Sequence, residues 1–219
     1  MRILTHAISL GYHCRTARRL RDHYGFNSSL PFDWWLTPLE GAVRFLHDWD
    51  VEILYDPRLL KERRVKGRLA NIVNARYGIR LEHEFPRDET ESVAAGWREH
   101  IDQAKARTAH LLDKFERMNR TNRRLLVVRE LAPEEAGQAG LCRELFETVC
   151  GRMGRARLRF LLISPTGVEA PGWTALKIDD RTEDWQGDAA LWDEALDRLG
   201  FTLVQPPETP GEETSASAR

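Results

Sequence analysis

Net charge is nearly absent from this chain. It contains 33 lysines and arginines and 34 aspartates and glutamates, which gives a formal charge of −1 at pH 7. A polyanionic partner is held by an excess of basic side chains, so this balance argues against a nucleic acid or an anionic membrane surface. Long apolar runs are absent too, and none approaches the roughly 18 residues that a membrane-spanning helix needs. We therefore expect no nucleic-acid partner and no membrane segment.

Cysteine is scarce as well. Cys14, Cys142 and Cys150 are the three cysteines of the chain, and an odd, sparse count does not build a disulfide framework. The apolar run after Met1 is too short for a signal peptide, so we expect a reducing, cytoplasmic setting. The sequence also lacks a P-loop, a GxGxxG motif after a strand, an HExxH motif and a CxxC pair. We therefore expect no cofactor and no metal site.

The remaining composition is that of a globular protein. Hydrophobic residues make up 42% of the 219 and charged residues 31%, which provides enough apolar surface for a substantial core. No linker interrupts the interior, so we expect a single α/β domain over residues 1–205. Residues 206–219 are rich in proline, glutamate, serine and threonine, a composition that predicts a disordered tail.

Apolar runs alternate with segments of helical periodicity along most of the chain. Strands are predicted at residues 3–10, 125–128, 158–164, 173–178 and 201–204. Helices are predicted at residues 14–24, 37–48, 89–119, 140–152 and 187–199, with a shorter one starting at residue 56. Buried strands that alternate with helices are typical of a parallel sheet covered on both faces. We therefore predict a three-layer α/β/α fold with a mainly parallel sheet and a flavodoxin-like or esterase-like topology.

Two local patterns add detail. Thr37, Pro38 and Glu40 predict a sharp helix start, with the threonine as N-cap and the glutamate completing a capping box. Residues 69–85 are predicted to form two short strands, in the second of which alternation places His83 on the inward side.

A thiol stands at the first strand-to-helix turn. The first apolar run ends before Gly11, and Cys14 follows at the start of the predicted helix. The free N–H groups and the dipole of a helix N-terminus favour a thiolate. Ligands bind beyond the carboxyl ends of parallel strands, where Arg129, Glu130 and Ser164 also stand. We predict that Cys14 is a nucleophile, and the alternative is a small buried hydrophobic residue.

A thiol nucleophile needs a base, and the chain offers seven histidines. His83 is the preferred candidate because it lies near a strand end among apolar neighbours. His13 is weaker, because adjacent side chains on a tight turn diverge. Asp33 or Glu84 is predicted to orient His83, since a carboxylate among apolar residues needs a partner. The alternatives are that His83 forms a structural hydrogen bond and that Asp33 serves as a cap or turn residue.

Further residues are candidates for contact with a substrate. Trp34 and Trp35 can floor a pocket, and the alternative is that they pack in the core. Arg129 ends a buried strand, where its charge needs either a ligand or a carboxylate. Arg15 belongs to a cluster of arginines after Cys14, for which a solvated helix face is the alternative.

Two motifs of the chain resemble those of a known family. They are Ser-Leu-Gly-Tyr-His-Cys at residues 9–14 and Pro-Phe-Asp-Trp-Trp at residues 31–35. The chain is similar here to a bacterial family of uncharacterised domains that is described as papain-like cysteine peptidases. Two weaker motifs of that family match His-Glu-Phe at residues 83–85 and Val-Val-Arg at residues 127–129. The resemblance implies Cys14 as nucleophile and His83 as its base, and it makes a papain-like α+β fold the alternative.

Two functions compete at this point. The first is a cysteine-dependent hydrolase (peptidase-, amidase- or esterase-like) or acyltransferase acting on a small-molecule or peptide substrate. Cys14 then attacks an acyl carbon, His83 carries the proton, and backbone N–H groups from Gly11 to Arg15 stabilise the oxyanion. The second is a non-catalytic module that binds an anion or a sugar phosphate through its arginines and a helix N-terminus. A scaffold role is a third possibility, which an exposed patch at Trp34 and Trp35 would favour.

Overall fold

The computed structural model describes residues 2–26, 28–120, 124–154, 157–182 and 184–204. Its strands are β1 (Arg2–Leu4), β2 (His6–Ser9), β3 (Leu60–Val65), β4 (Arg68–Asn74), β5 (Arg80–Leu81), β6 (Leu125–Glu130), β7 (Leu158–Ser164), β8 (Thr174–Lys177) and β9 (Phe201–Leu203). Its α-helices are α1 (Cys14–Tyr24), α2 (Leu39–Asp48), α3 (Val51–Leu54), α4 (Ile101–Arg120), α5 (Ala139–Met153) and α6 (Ala189–Asp197). The predicted tail at 206–219 lies outside the described residues. No helix in the described part of the chain combines the length and the apolar character that crossing a membrane requires.

A parallel sheet carries the fold. Its strands β2, β6, β7 and β8 are neighbours in this order and all run parallel. β1 precedes β2 by one residue, Thr5, and pairs in parallel with β9 instead. All six residues of β6 are buried, as expected for a strand covered on both faces. The predicted α/β class with mostly parallel strands is confirmed.

Successive residues of the sheet enter two different hydrophobic clusters. Leu125 and Val127 of β6 pack in a cluster with side chains from α2, α4 and α5. Leu126 and Val128 pack in another cluster with side chains from α1 and α6. This division follows from the alternation of side chains along a strand. Alternate residues of β6 therefore pack with side chains from different helices.

A second sheet, of three antiparallel strands, follows the order β3-β4-β5. The sequence predicted β4 but extended the next strand to residue 85, whereas β5 contains only two residues. It missed β3, because all of the strand after Leu60 is exposed and most of it is charged. The helix predicted from residue 56 is wrong. A short helix, α3, lies just before it and is capped by the Asp50 carboxylate, which accepts from the N–H groups of Glu52 and Ile53.

Two predicted helix starts need correction. α2 begins at Leu39 rather than at a threonine cap, and the Leu39 N–H donates to Glu135 Oε1 at 2.6 Å. The hydroxyl of Thr37 is buried and finds no hydrogen-bond partner among the described residues. The α-helix predicted from residue 89 starts only at Ile101. Asp88 accepts the N–H groups of Thr90 and Ser92 in a turn, and a 3-10 helix at Trp97–His100 directly precedes α4. The predicted α1 agrees with the structure.

Candidate functional site

The turn between β2 and α1 lies at the carboxyl edge of the parallel sheet. Gly11 and Tyr12 have φ angles of +81° and +41°. Only glycine adopts the first of these without strain, and a Cβ there would lie 2.9 Å from the Cβ of Thr37. His13 then returns to an extended conformation as the N-cap, and Cys14 is the first residue of α1. The predicted strand-turn-helix arrangement around the thiol is therefore present.

The Cys14 thiol is protonated more firmly than an ordinary thiol. The residue is 6% exposed, and this burial raises the pKa of Cys14. The backbone N–H groups of Cys14 and Arg15 oppose the rise, while the carboxylates of Glu82 and Glu130 add to it. Desolvation therefore opposes the thiolate that the sequence predicts at this helix N-terminus, whereas the backbone N–H groups favour it.

The two histidines considered as bases for this thiol have different surroundings. His83 is exposed, so the prediction that it points inward is wrong. β5 ends at Leu81, and the strand alternation on which that prediction depended does not reach His83. Its ring packs edge-on against Trp34 with 5.6 Å between centroids. His13 is half-buried and contacts the Tyr12 ring, with centroids 4.6 Å apart.

Both imidazoles lose their proton at a lower pH than an ordinary histidine does. Desolvation lowers the pKa of His13 and the pKa of His83. Glu82 opposes this change at both rings, and it also raises the pKa of Cys14. Neither His13 nor His83 forms a hydrogen bond with Cys14 in the structure. The charge of Glu82 thus raises the pKa values of the Cys14 thiol and of both imidazoles.

Asp33 is occupied away from His83. It forms a buried ion pair with Arg21 and accepts the Leu30 N–H at 2.8 Å. Burial raises its pKa to about 6, although Arg21 and the Leu30 N–H act in the opposite direction. Asp33 therefore joins α1 to the following loop, the turn role left open by the sequence, and it does not contact His83.

Trp35 and Glu84 are buried, whereas Trp34 lies partly at the surface. Trp35 is buried, and its Nε1 donates to Glu84 Oε1 at 2.9 Å. Glu84 also accepts from Arg107 at 2.8 Å, so it supports Trp35 rather than His83. Trp34 is half-buried, with the Arg21 guanidinium 4.8 Å from its ring centroid. The paired Trp34 and Trp35 surface that a scaffold role needs is not formed.

Arg129 is part of the framework beneath the turn. Its guanidinium is fully buried and donates to the carbonyls of Leu10 at 3.0 Å and Thr37 at 2.8 Å. It also pairs with both carboxylate oxygens of Glu135. The prediction that Arg129 binds a substrate is wrong, since protein groups surround it and no surface reaches it.

Glu130 and Asp180 hold the start of α1. The sequence placed Glu130 at the ligand-binding edge of the sheet without a partner, and it assigned no role to Asp180. Glu130 accepts from Thr16 Oγ1 at 2.6 Å and from Arg15 Nε at 2.9 Å. Asp180 follows β8 and lies 4.0 Å from the same Arg15 guanidinium. The available signal was the position of each carboxylate two residues after the end of a predicted strand. Ser164, the other strand-end candidate, instead accepts the Val168 N–H at 2.7 Å.

A cleft of about 240 Å³ opens beside Tyr12. Its lining includes Arg80 from β5, Glu134 from the turn after β6, and Thr37 and Leu39 at the start of α2. These residues come from distant segments, which is why no motif revealed the cleft. No group of three or more histidine, cysteine or acidic residues in the described ranges is placed to hold a metal ion.

Comparison of the chain with protein-family models, with curated proteins and with solved structures gave no match.

Proposed function

We propose that the protein is a cysteine-dependent hydrolase or acyltransferase with Cys14 as its nucleophile. The observation that carries this proposal is the place of the thiol at the first residue of α1, with the N–H groups of Cys14 and Arg15 favouring its charged form. A three-layer α/β/α fold of esterase-like topology, in which a nucleophile follows the first strand, belongs to the same proposal. The resemblance to papain-like cysteine peptidases favours an amide or peptide as the substrate.

Burial of the site favours a neutral Cys14 thiol and a neutral imidazole in the resting protein. Burial raises the pKa of Cys14, while desolvation lowers the pKa of His13 and of His83. A protonated thiol beside a neutral imidazole is ready for general-base catalysis, in which the proton moves as the sulfur attacks. This differs from a preformed thiolate, which the sequence alone had favoured.

The chemical step is acyl transfer through a thioester. The Cys14 sulfur bonds to the acyl carbon while its proton passes to the imidazole. The N–H groups of Cys14 and Arg15 stabilise the oxyanion. The leaving amine or alkoxide takes the proton back from the imidazolium as its bond to the acyl carbon breaks. Water hydrolyses the thioester, or an acceptor amine takes the acyl group, and either route restores the thiol.

The base is His83 or His13. His83 carries the motif resemblance, and it is an exposed residue whose ring packs against Trp34. His13 adjoins the thiol and shares with it the influence of Glu82 and Glu130. An anion-binding module has less support, because Arg15 is already paired with Glu130 and Asp180, and Arg129 is paired with Glu135.

Acylation by p-nitrophenyl acetate tests the proposal. We expect release of p-nitrophenolate with one acetyl group added to Cys14, as located by mass spectrometry of the digested protein. Cys14→Ala is expected to lose this reaction, whereas Cys150→Ala keeps it as the matched control. Because desolvation lowers the imidazole pKa, the acylation rate should fall to half only below about pH 6.5.

The histidine variants identify the base. Removing the true base is expected to slow acylation by about 100-fold, the lower end for general-base catalysis. His83→Ala and His13→Ala are therefore compared at one pH. Acetylation that is absent from Cys14, or that proceeds equally on Cys150, would overturn the proposal.

A further inference from the structure

Two opposite charges in the cleft beside Tyr12 have no partner within the described part of the chain. Arg80 and Glu134 both line the cleft, and neither side chain forms a hydrogen bond or an ion pair with any described residue, including each other. Other charged residues of the lining are occupied, since Glu40 pairs with Arg44 and Glu135 with Arg129. Among the described residues, Arg80 and Glu134 thus present a cation and an anion to whatever enters the cleft.

Tyr12 connects these charges to the proposed nucleophile. Its side chain lines the cleft, and both charges act on it, Glu134 raising the pKa of Tyr12 and Arg80 lowering it. Arg80 also lowers the pKa of His13, the residue between Tyr12 and Cys14. Tyr12 thus places the cleft beside the turn that leads to Cys14, while Cys14 itself is not among the lining residues.

The rest of the lining combines an apolar surface with a hydroxyl. Leu36 and Leu141, which are both half-buried, supply the apolar surface, whereas Leu39 is fully buried. Thr37 also lines the cleft, and its buried hydroxyl has no hydrogen-bond partner among the described residues. At about 240 Å³ the cleft is smaller than the roughly 300–1,000 Å³ of pockets for drug-sized ligands, which suits a molecule about as large as one amino acid.

From this geometry we infer that the cleft is a subsite for an α-amino acid with an apolar side chain. The ligand's carboxylate pairs with Arg80, its ammonium group with Glu134, and its side chain packs against the leucines. The inference rests on the proposed function, because the amino acid is then the leaving group of amide hydrolysis or the acceptor of the acyl group. In hydrolysis the acyl–nitrogen bond breaks and the released amine takes a proton, which places an ammonium group at Glu134.

Binding of L-leucine to the Cys14→Ala protein tests the inference by calorimetry. N-acetyl-L-leucine lacks the ammonium group, and L-leucinamide lacks the carboxylate. Each is expected to bind about tenfold more weakly than leucine, which is about 1.4 kcal/mol for one charged contact. Saturable binding of leucine with these two losses supports the subsite. Absence of binding, or equal affinity for the three ligands, overturns it.

Charge-removing variants assign each contact. Glu134→Gln is expected to weaken the binding of leucine about tenfold and to leave the binding of N-acetyl-leucine unchanged. Arg80→Gln is expected to weaken the binding of leucine about tenfold and to leave the binding of leucinamide unchanged. Glu89→Gln and Arg63→Gln are the matched controls, since both residues are exposed and neither lines the cleft. Thermal unfolding checks that each variant is folded. Equal losses in the controls would contradict the assignment.

The two proposals fail separately. Leucine binding is measured without Cys14, so it does not depend on acylation. Leucine binding without any acetylation of Cys14 in the native protein overturns the enzyme and keeps the subsite. Acetylation of Cys14 without leucine binding overturns the subsite and keeps the enzyme.

Discussion

Arg129 and Glu135 form a buried ion pair, with Arg129 Nη2 2.7 Å from Glu135 Oε2. The pair connects three segments, because Arg129 donates to the Leu10 carbonyl after β2 and Glu135 accepts the Leu39 N–H at the start of α2. The turn that carries Cys14 and one wall of the cleft are therefore held by the same two side chains.

Removing the carboxylate of this pair should destabilise the fold. Glu135→Gln leaves the Arg129 charge buried without its partner, which typically costs about 3–5 kcal/mol of unfolding free energy. Urea unfolding followed by circular dichroism measures the loss. Glu40→Gln is the control, because its exposed pair with Arg44 contributes about 0.5 kcal/mol or less. A similar loss in both variants would contradict the role given to the buried pair.

Cys14 should react as a thiol of high pKa in the free protein. Because burial raises its pKa, we expect the rate of alkylation by iodoacetamide to reach half its maximum above about pH 8.5, where ordinary thiols titrate. The Cys14→Ala protein supplies the background from Cys142 and Cys150. A midpoint below neutral pH would mean that the N–H groups of α1 outweigh desolvation and that the resting site is a thiolate.

Asp33 should make stability depend on pH in an unusual direction. Burial raises its pKa to about 6 from 3.8, so the folded protein holds this proton more tightly than the unfolded chain. The stabilising contribution is complete below about pH 4 and is lost as the pH rises through 6. Relative to Asp33→Asn, the native protein should therefore lose on the order of 3 kcal/mol of unfolding free energy across this range.

The measurement is urea unfolding of the native protein and of Asp33→Asn at several pH values from about 4 to about 7. The difference between the two unfolding free energies isolates the titration of Asp33 from that of other groups. If the native protein instead gains stability over Asp33→Asn as the pH rises, Arg21 rather than burial controls this carboxyl.

Gly11 should tolerate a side chain less well than another glycine with a similar positive φ. Gly11→Ala places an L-residue at positive φ, which costs about 1–2 kcal/mol, and adds a Cβ 2.9 Å from the Cβ of Thr37. Gly25 has a φ of +68°, but a Cβ added there meets no atom within 4 Å, so Gly25→Ala reports the backbone penalty alone. Thermal unfolding of both variants should give the larger loss for Gly11→Ala. Equal losses would mean that Thr37 moves aside freely.

Part of the site was predictable from local sequence. The apolar run before Gly11 and the helical periodicity after Cys14 predicted the turn and α1, because both signals depend on neighbouring residues alone. The position of Glu130 at a strand end pointed to the same edge of the sheet. The inward orientation of His83 was wrong, because alternation is informative only while a strand lasts and β5 ends two residues earlier.

The sequence by itself determined the α/β class and the place of Cys14 on a strand-to-helix turn, since periodicity and glycine conformation are local properties. Only the tertiary structure decided the burial of that thiol, the ion pair between Arg129 and Glu135, and the presence of Arg80 and Glu134 in one cleft. Each of these depends on desolvation and charge brought from distant segments, and such contacts leave no periodic trace in the chain.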